Sequence, residues 1–95
     1  MRATEIVNFA TWNDYTRYVK AALPKMEASR RVAIGRMLAN CDVIARKEIL
    51  PIDHEYNLRK TELLRLKLER RISETLLPAV RTLERLMLVA KLSQK

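Results

Sequence analysis

The fold is decided by residues 53–95, which read DHEYNLRKTELLRLKLERRISETLLPAVRTLERLMLVAKLSQK. Their apolar residues recur at steps of three or four, the spacing that places side chains on one face of a helix. This stripe consists of Leu64, Leu68, Ile72, Leu76, Val80, Leu83, Met87 and Ala90. Because a single helix with so wide an apolar face needs a covering surface, the rest of the chain or a partner must pack on it.

The composition is that of a small helical protein. The 95 residues make one domain at most, and 48% hydrophobic with 32% charged residues set the chain apart from a disordered tail. The formal net charge of +8 suits an acidic partner such as nucleic acid, anionic lipid head groups or an acidic protein surface. The alternative interpretation of this charge is a solvated helical surface rich in arginine.

The residue inventory excludes several classes of protein. Cys41 is the sole cysteine, so no intrachain disulfide forms, and a secreted domain built on disulfides is excluded. The longest uncharged run is far shorter than the roughly 20 residues of a membrane span. No secretory signal is recognised, and Glu5 and Asp14 make the N-terminal segment untypical of a cleaved transit peptide.

The first predicted helix covers residues 3–22. Thr11 with Asp14 three residues later fits a Thr-x-x-acid pattern, in which side chains satisfy the free N–H groups of a helix start. An apolar stripe follows, made of Trp12, Tyr15, Val19 and Ala22, with Tyr18 on its edge. We interpret this stripe as a core or partner-facing side and not as a platform for stacked bases, because the local charge is nearly neutral.

The second predicted helix covers residues 25–49, between Leu23-Pro24 and Leu50-Pro51, because a residue before proline is pushed out of the α region. Gly35 inside it costs about 1 kcal/mol against alanine, which predicts a close helix–helix approach. Three arginines lie near its start: Arg30, Arg31 and Arg36. Its apolar side is lined by Met26, Ala33, Met37, Cys41, Ile44 and Glu48, and is widened by Ile34, Leu38, Ala45 and Ile49.

The third predicted helix covers residues 53–77, with Asp53 as its N-cap. An interior proline costs about 3 kcal/mol, so Pro78 predicts a kink or break and a final helix over residues 79–92. The consecutive apolar residues Leu86, Met87, Leu88 and Val89 predict burial against a partner. The Leu-Pro steps recur every 27 residues, but the segments between them do not align, and we interpret the spacing as coincidence.

The predicted fold is therefore all-α, with three main amphipathic helices of which the last is long and kinked or broken at Pro78. No constellation for catalysis accompanies it. His54 and Cys41 are each the sole residue of their type, which leaves a tetrahedral metal site incomplete. A single glycine makes no phosphate-binding loop. The sequence thus predicts no enzyme activity, no cofactor and no metal site.

Part of the chain carries a family resemblance. Leu23-Pro24 leads into an arginine-rich segment, Arg31 to Arg36, and then to Ile49-Leu50-Pro51. This order resembles the matrix-side helical subunit seven of the mitochondrial cytochrome bc1 complex, and Leu76-Leu77-Pro78 is similar to a later step of that family. A weaker resemblance joins Trp12 and Tyr15-Thr16-Arg17-Tyr18 to the N-terminal helix of the mitochondrial ATP synthase epsilon subunit.

The resemblances imply a non-catalytic accessory subunit on the matrix side of the mitochondrial inner membrane, in a complex III-like respiratory-chain assembly. Its partners would be other protein subunits, with anionic lipid head groups of the cardiolipin type as a further class. The candidate partner-binding residues are Trp12, Tyr15, Tyr18, Arg30, Arg31, Arg36, Leu86, Met87, Leu88 and Val89.

Two alternatives stay open. One is a basic helical protein that binds nucleic acid, such as a ribosomal component, whose affinity would fall steeply with salt. It requires the arginines to converge on one face once the chain is folded. The other is a free-standing helical adaptor that oligomerises through residues 58–77.

Overall fold

The computed structural model describes residues 1–93, which form three helices and no strand, and this confirms the predicted all-α class. The first helix, α1, spans Phe9–Ala22 and lies between short 3-10 turns at Ala3–Glu5 and Leu23–Lys25. The second, α2 (residues 28–59), joins α-helical Ala28–Ile44, a π segment Ala45–Ile49 and α-helical Leu50–Arg59. The third, α3 (residues 62–93), joins Glu62–Arg71, a π segment Ile72–Leu76 and Leu77–Ser93.

The helices α2 and α3 form an antiparallel hairpin, and the N-terminal segment with α1 packs along it. The described chain measures 48 × 17 × 15 Å. Its radius of gyration of 14.4 Å exceeds the roughly 12 Å of a compact chain of this length. The long axis matches α2, because 32 helical residues extend about 48 Å. The molecule is therefore a rod as long as its hairpin.

The start of α1 is fixed by a reciprocal cap. The Thr11 backbone N–H donates to Asn8 Oδ1 at 2.8 Å, and the Asn8 backbone N–H donates to Thr11 Oγ1 at 3.0 Å. Two free N–H groups of the helix start are satisfied in this way. Thr11 is thus part of the predicted cap, but as the third helical residue, since Asn8 is the N-cap and the helix begins at Phe9.

Neither Pro51 nor Pro78 ends a helix. Each lies two residues after a π segment, and the leucine before each proline donates its N–H to the carbonyl five residues earlier, Leu50 to Ala45 and Leu77 to Ile72. A proline ring clashes with the carbonyl four residues before it, and the wider π turn moves that carbonyl away. The helix boundary predicted at Leu50-Pro51 is therefore wrong, and the chain stays helical across Pro78.

The hairpin turn lies at Lys60 and Thr61, where the sequence predicts a continuous helix. Lys60 adopts the left-handed conformation, with φ 55° and ψ 34°, and ends α2. Thr61 then caps α3 by accepting the Leu64 N–H at 3.3 Å. Asp53, which the sequence predicts as an N-cap, instead lies buried inside α2.

The predicted α3 stripe forms the core of the hairpin. Seven of its eight residues are buried, and the eighth, Leu64, is half-buried. On α2 the buried side falls mainly on the residues that were predicted to widen the apolar stripe. It consists of Ile34, Leu38, Cys41, Ala45, Ile49 and Ile52. The predicted residues Ala33, Met37, Ile44 and Glu48 instead lie at its edge, exposed or half-buried.

Gly35 is not a point of close helix approach. A Cβ built on it meets no atom within 4 Å. The predicted approach is therefore wrong, and no contact with a neighbouring helix accounts for the glycine.

Candidate interaction surface

The N-terminal part of the chain is fastened to one side of the hairpin by polar contacts. Trp12 Nε1 donates to Asp42 Oδ1 on α2 at 2.9 Å, and Arg46 Nε donates to the second oxygen of Asp42 at 2.8 Å. The guanidinium of Arg46 also lies 5.5 Å from the centre of the Phe9 ring. On α3, Glu84 Oε2 accepts the Ala3 N–H at 3.2 Å. The side of the hairpin that carries Asp42 and Glu84 is thus covered.

A second side of the hairpin carries no charge over about three helical turns. On α2 it consists of Ala33, Met37, Asn40 and Ile44, and on α3 of Thr75, Ala79, Thr82 and Leu86. Both sets recur at steps of four, three and four, which keeps each set on one helix face. They lie about half a turn from Asp42 and Glu84, on the side away from α1. We call these eight residues the uncharged face.

An ion pair shows that the two stripes lie side by side. Arg71 Nη1 on α3 donates to Glu48 Oε2 on α2 at 2.7 Å. Glu48 is four residues after Ile44, and Arg71 is four residues before Thr75, so the pair continues both stripes at one end of the face. The register of the hairpin therefore places both sets on the same side.

The uncharged face is partly apolar. Met37, Ile44, Ala79 and Leu86 are half-buried and pack against the core. The most exposed positions carry the small or neutral residues Ala33, Asn40 and Thr82. Small exposed side chains let a helix axis come close, and the face extends about 17 Å along α2. Its length is that of about three turns of a helix.

Three predicted partner-binding residues lie in the chain's own core. Trp12, Tyr15 and Met87 are 0%, 1% and 5% exposed. These side chains lie where α1 packs on the hairpin. The prediction that they contact a partner is therefore wrong. Leu86 belongs to the uncharged face, while Tyr18, Leu88 and Val89 are exposed.

The three arginines predicted as one cluster point in different directions. Residues 28–44 are regular α-helix, in which successive residues are separated by about 100°. Arg30, Arg31 and Arg36 are therefore about 100–140° apart around the axis. Arg30 is half-buried with Glu27 at 3.9 Å, whereas Arg31 and Arg36 are exposed. They form no common basic face of the kind that the nucleic-acid alternative requires.

The buried tyrosine lines a small cavity at the α1–α3 contact. The cavity measures about 160 Å³ and is lined by Met1, Tyr15, Tyr18, Glu84, Met87 and Leu88. The Tyr15 hydroxyl is buried without a hydrogen-bond partner among the described residues. Burial and the nearby charge of Glu84 raise the pKa of Tyr15. Both effects favour the neutral phenol over the phenolate.

Two carboxyl groups within the fold have pKa values that are shifted in opposite directions. Burial favours a higher pKa for Asp42, but the hydrogen bonds from Trp12 and Arg46 outweigh it and lower the pKa overall. For Asp53 burial prevails and raises the pKa, against contacts from Phe9 and Asn57. Burial also raises the pKa of the Cys41 thiol to about 11, so this cysteine is not an activated nucleophile.

Residues 1–93 bring together no group of three or more side chains suited to hold a metal ion. Over the same range, no helix is both long and apolar enough to cross a membrane. No protein-family model, curated protein or solved structure matches the chain.

Proposed function

We propose that this protein is a non-catalytic structural subunit that binds a partner subunit of a larger assembly through the uncharged face. The observation that carries the proposal is this face itself. Although 32% of the residues in the chain are charged, none of the eight neighbouring positions that form this face on the two helices is a charged residue. A surface that only meets water gains nothing from such a pattern, whereas a helix-binding surface needs it.

The hairpin provides the geometry for a fourth helix. With α1 on one side of α2 and α3, a partner helix on the uncharged face would lie in the opposite groove, as in helix bundles. Met37, Ile44 and Leu86 are half-buried already and would become fully buried. Each square ångström of apolar surface removed from water contributes about 25 cal/mol.

The proposed location is a mitochondrial respiratory-chain assembly of the complex III type, on the matrix side of the inner membrane. This part of the proposal is supported by the resemblance of residues 23–51 to subunit seven of the cytochrome bc1 complex. The basic exterior of the chain is consistent with this proposed location, because acidic surfaces of partner subunits would attract a chain of net charge +8. Tyr18 and Leu88 line the cavity at the α1–α3 contact, so they lie away from the uncharged face and take no part in the proposed contact.

The test is the native size of the tagged protein in a mild-detergent extract, with its co-migrating proteins identified at low and high salt. The informative variant is Ala33→Glu with Asn40→Glu, which places two charges on exposed positions of the uncharged face. Burying an unpaired carboxylate costs several kcal/mol, so partner binding should weaken more than about a hundredfold.

The matched control is Val32→Glu with Val43→Glu. These valines are 56% and 64% exposed on the outer side of the same helix, so the added charge is equal but lies off the face. Co-migration lost in the first variant and kept in the control supports the proposal. A wild-type particle of the size of the 11.1 kDa chain overturns the subunit function, and co-migration with proteins other than respiratory ones overturns the location alone.

A further inference from the structure

The hairpin end of the rod exposes leucines that no other part of the described chain covers. Leu58 and Leu63 are 72% and 81% exposed, and Leu66 is 49% exposed. Leu58 precedes Lys60 by two residues and Leu63 follows Thr61 by two, so the pair flanks the turn. We call residues 57–67 the hairpin tip. Exposed leucines grouped at the end of a rod mark an interaction site.

The tip is also basic. It carries four basic side chains and one acidic side chain, Glu62. Glu62 is paired with Arg65, which also pairs with Glu69 just beyond the tip, and this arginine lowers the pKa of the Glu62 carboxyl. Of the other three cations, Lys60 lies 5.6 Å from the Tyr56 ring centre, and Arg59 lies 3.9 Å from Glu55. The third is the exposed Lys67.

We propose that the hairpin tip binds the surface of an anionic lipid membrane, with Leu58 and Leu63 inserted among the head groups. A membrane surface is broad and deformable, so the narrow end of a rod needs no matching groove to bind it. Exposed apolar side chains next to cations give the two attractions that peripheral attachment combines, apolar insertion and charge. The proposal does not depend on the uncharged face or on any partner subunit.

The test is sedimentation of the purified full-length chain with vesicles of equal parts phosphatidylcholine and phosphatidylglycerol, beside vesicles of phosphatidylcholine alone. Binding is expected with the anionic vesicles and should weaken at high salt. Leu58→Ser with Leu63→Ser should reduce the affinity at least about tenfold. Tenfold corresponds to about 1.4 kcal/mol, less than the free energy of fully burying one leucine.

The control is Val32→Ser with Val43→Ser, which removes two exposed apolar side chains from the middle of the rod and should leave vesicle binding unchanged. All four replaced residues are exposed, and far-UV circular dichroism checks that each variant is folded. Three results would overturn the proposal: no wild-type binding, equal binding to both vesicle types, or unchanged binding of the leucine variant. Unchanged binding would mean that charge alone holds the chain, as it would hold RNA.

Discussion

The contact between Trp12 and Asp42 should be the main polar link between α1 and the hairpin. Asp42→Ala removes the acceptor of the buried indole N–H, at 2.9 Å, and also the ion pair with Arg46. A hydrogen bond to a charged group contributes about 1.5–3 kcal/mol, and an exposed pair four residues apart on a helix adds a few tenths. Because the Asp42 side chain is 33% exposed, water partly replaces it, and we expect a loss of about 2 kcal/mol.

The assay is urea unfolding followed by fluorescence, since Trp12 is the sole tryptophan and is fully buried. With a slope of about 1 kcal/mol per molar urea, the midpoint should fall by about 2 M. Asp42→Asn keeps an acceptor oxygen and should lose about half as much free energy. Asp14→Ala is the matched control, because it removes only the exposed pair with Arg17 and should shift the midpoint little.

A double-mutant cycle separates the hydrogen bond from general effects. In a Trp12→Phe background the indole donor is absent, so Asp42→Ala should cost only the few tenths of its pair with Arg46. Unfolding is then followed by far-UV circular dichroism. An equal loss in both backgrounds, or a wild-type shift below about 0.5 M, would show that this contact does not fasten α1.

Three further outcomes are expected from the fold. Gly35→Ala should raise the free energy of unfolding by about 1 kcal/mol in thermal melts, because the added methyl group meets no atom; an unchanged or lower value would contradict this. Lys60→Gly should raise the free energy of unfolding by about 0.5 kcal/mol in the same measurement, because glycine adopts the left-handed conformation without strain but loses the contact with Tyr56; a lower free energy of unfolding would contradict the assignment of strain. Because the pKa of Asp53 is raised, its contribution to stability is full below its unfolded pKa and is lost as the pH rises through its folded pKa. Urea titrations should therefore show the stability of Asp53→Asn rising relative to the wild type as the pH increases from below the unfolded pKa to above the folded pKa, and Asp42→Asn, at a carboxyl whose pKa is lowered, should show the opposite trend.

The core side of α3 could be predicted because the spacing of residues within that helix determines it. The steps of three and four from Leu68 to Ala90 are a property of the helix alone, and every residue of that stretch of the stripe is buried. The direction of the core side of α2 was harder to predict. Its apolar residues cover a wide arc, and the position of α1 decides which part of that arc becomes core and which part, near Met37 and Ile44, stays at the edge.

The predicted helix boundaries were wrong where local sequence preferences compete with packing. Proline predicts a break, yet a π segment before Pro51 and another before Pro78 keep the helices intact, and these two segments pack against each other across the hairpin. The turn at Lys60 was missed because no glycine or proline marks it; only the capping residue Thr61 did. The polar half of the α3 stripe of the uncharged face, Thr75 and Thr82, carries no apolar signal and emerges only when α2 lies beside it.

The continuity of α2 through Pro51 has a consequence for electrostatics. From Ile44 at the edge of the uncharged face to Lys60 at the tip, the helix rises by about 24 Å. This is about three Debye lengths at physiological ionic strength. A charge added at one end, for example by phosphorylation of Thr61, would be screened before it reached the other. The length of the rod thus makes its two surfaces electrostatically independent, so a change of charge at one surface should have little effect on binding at the other.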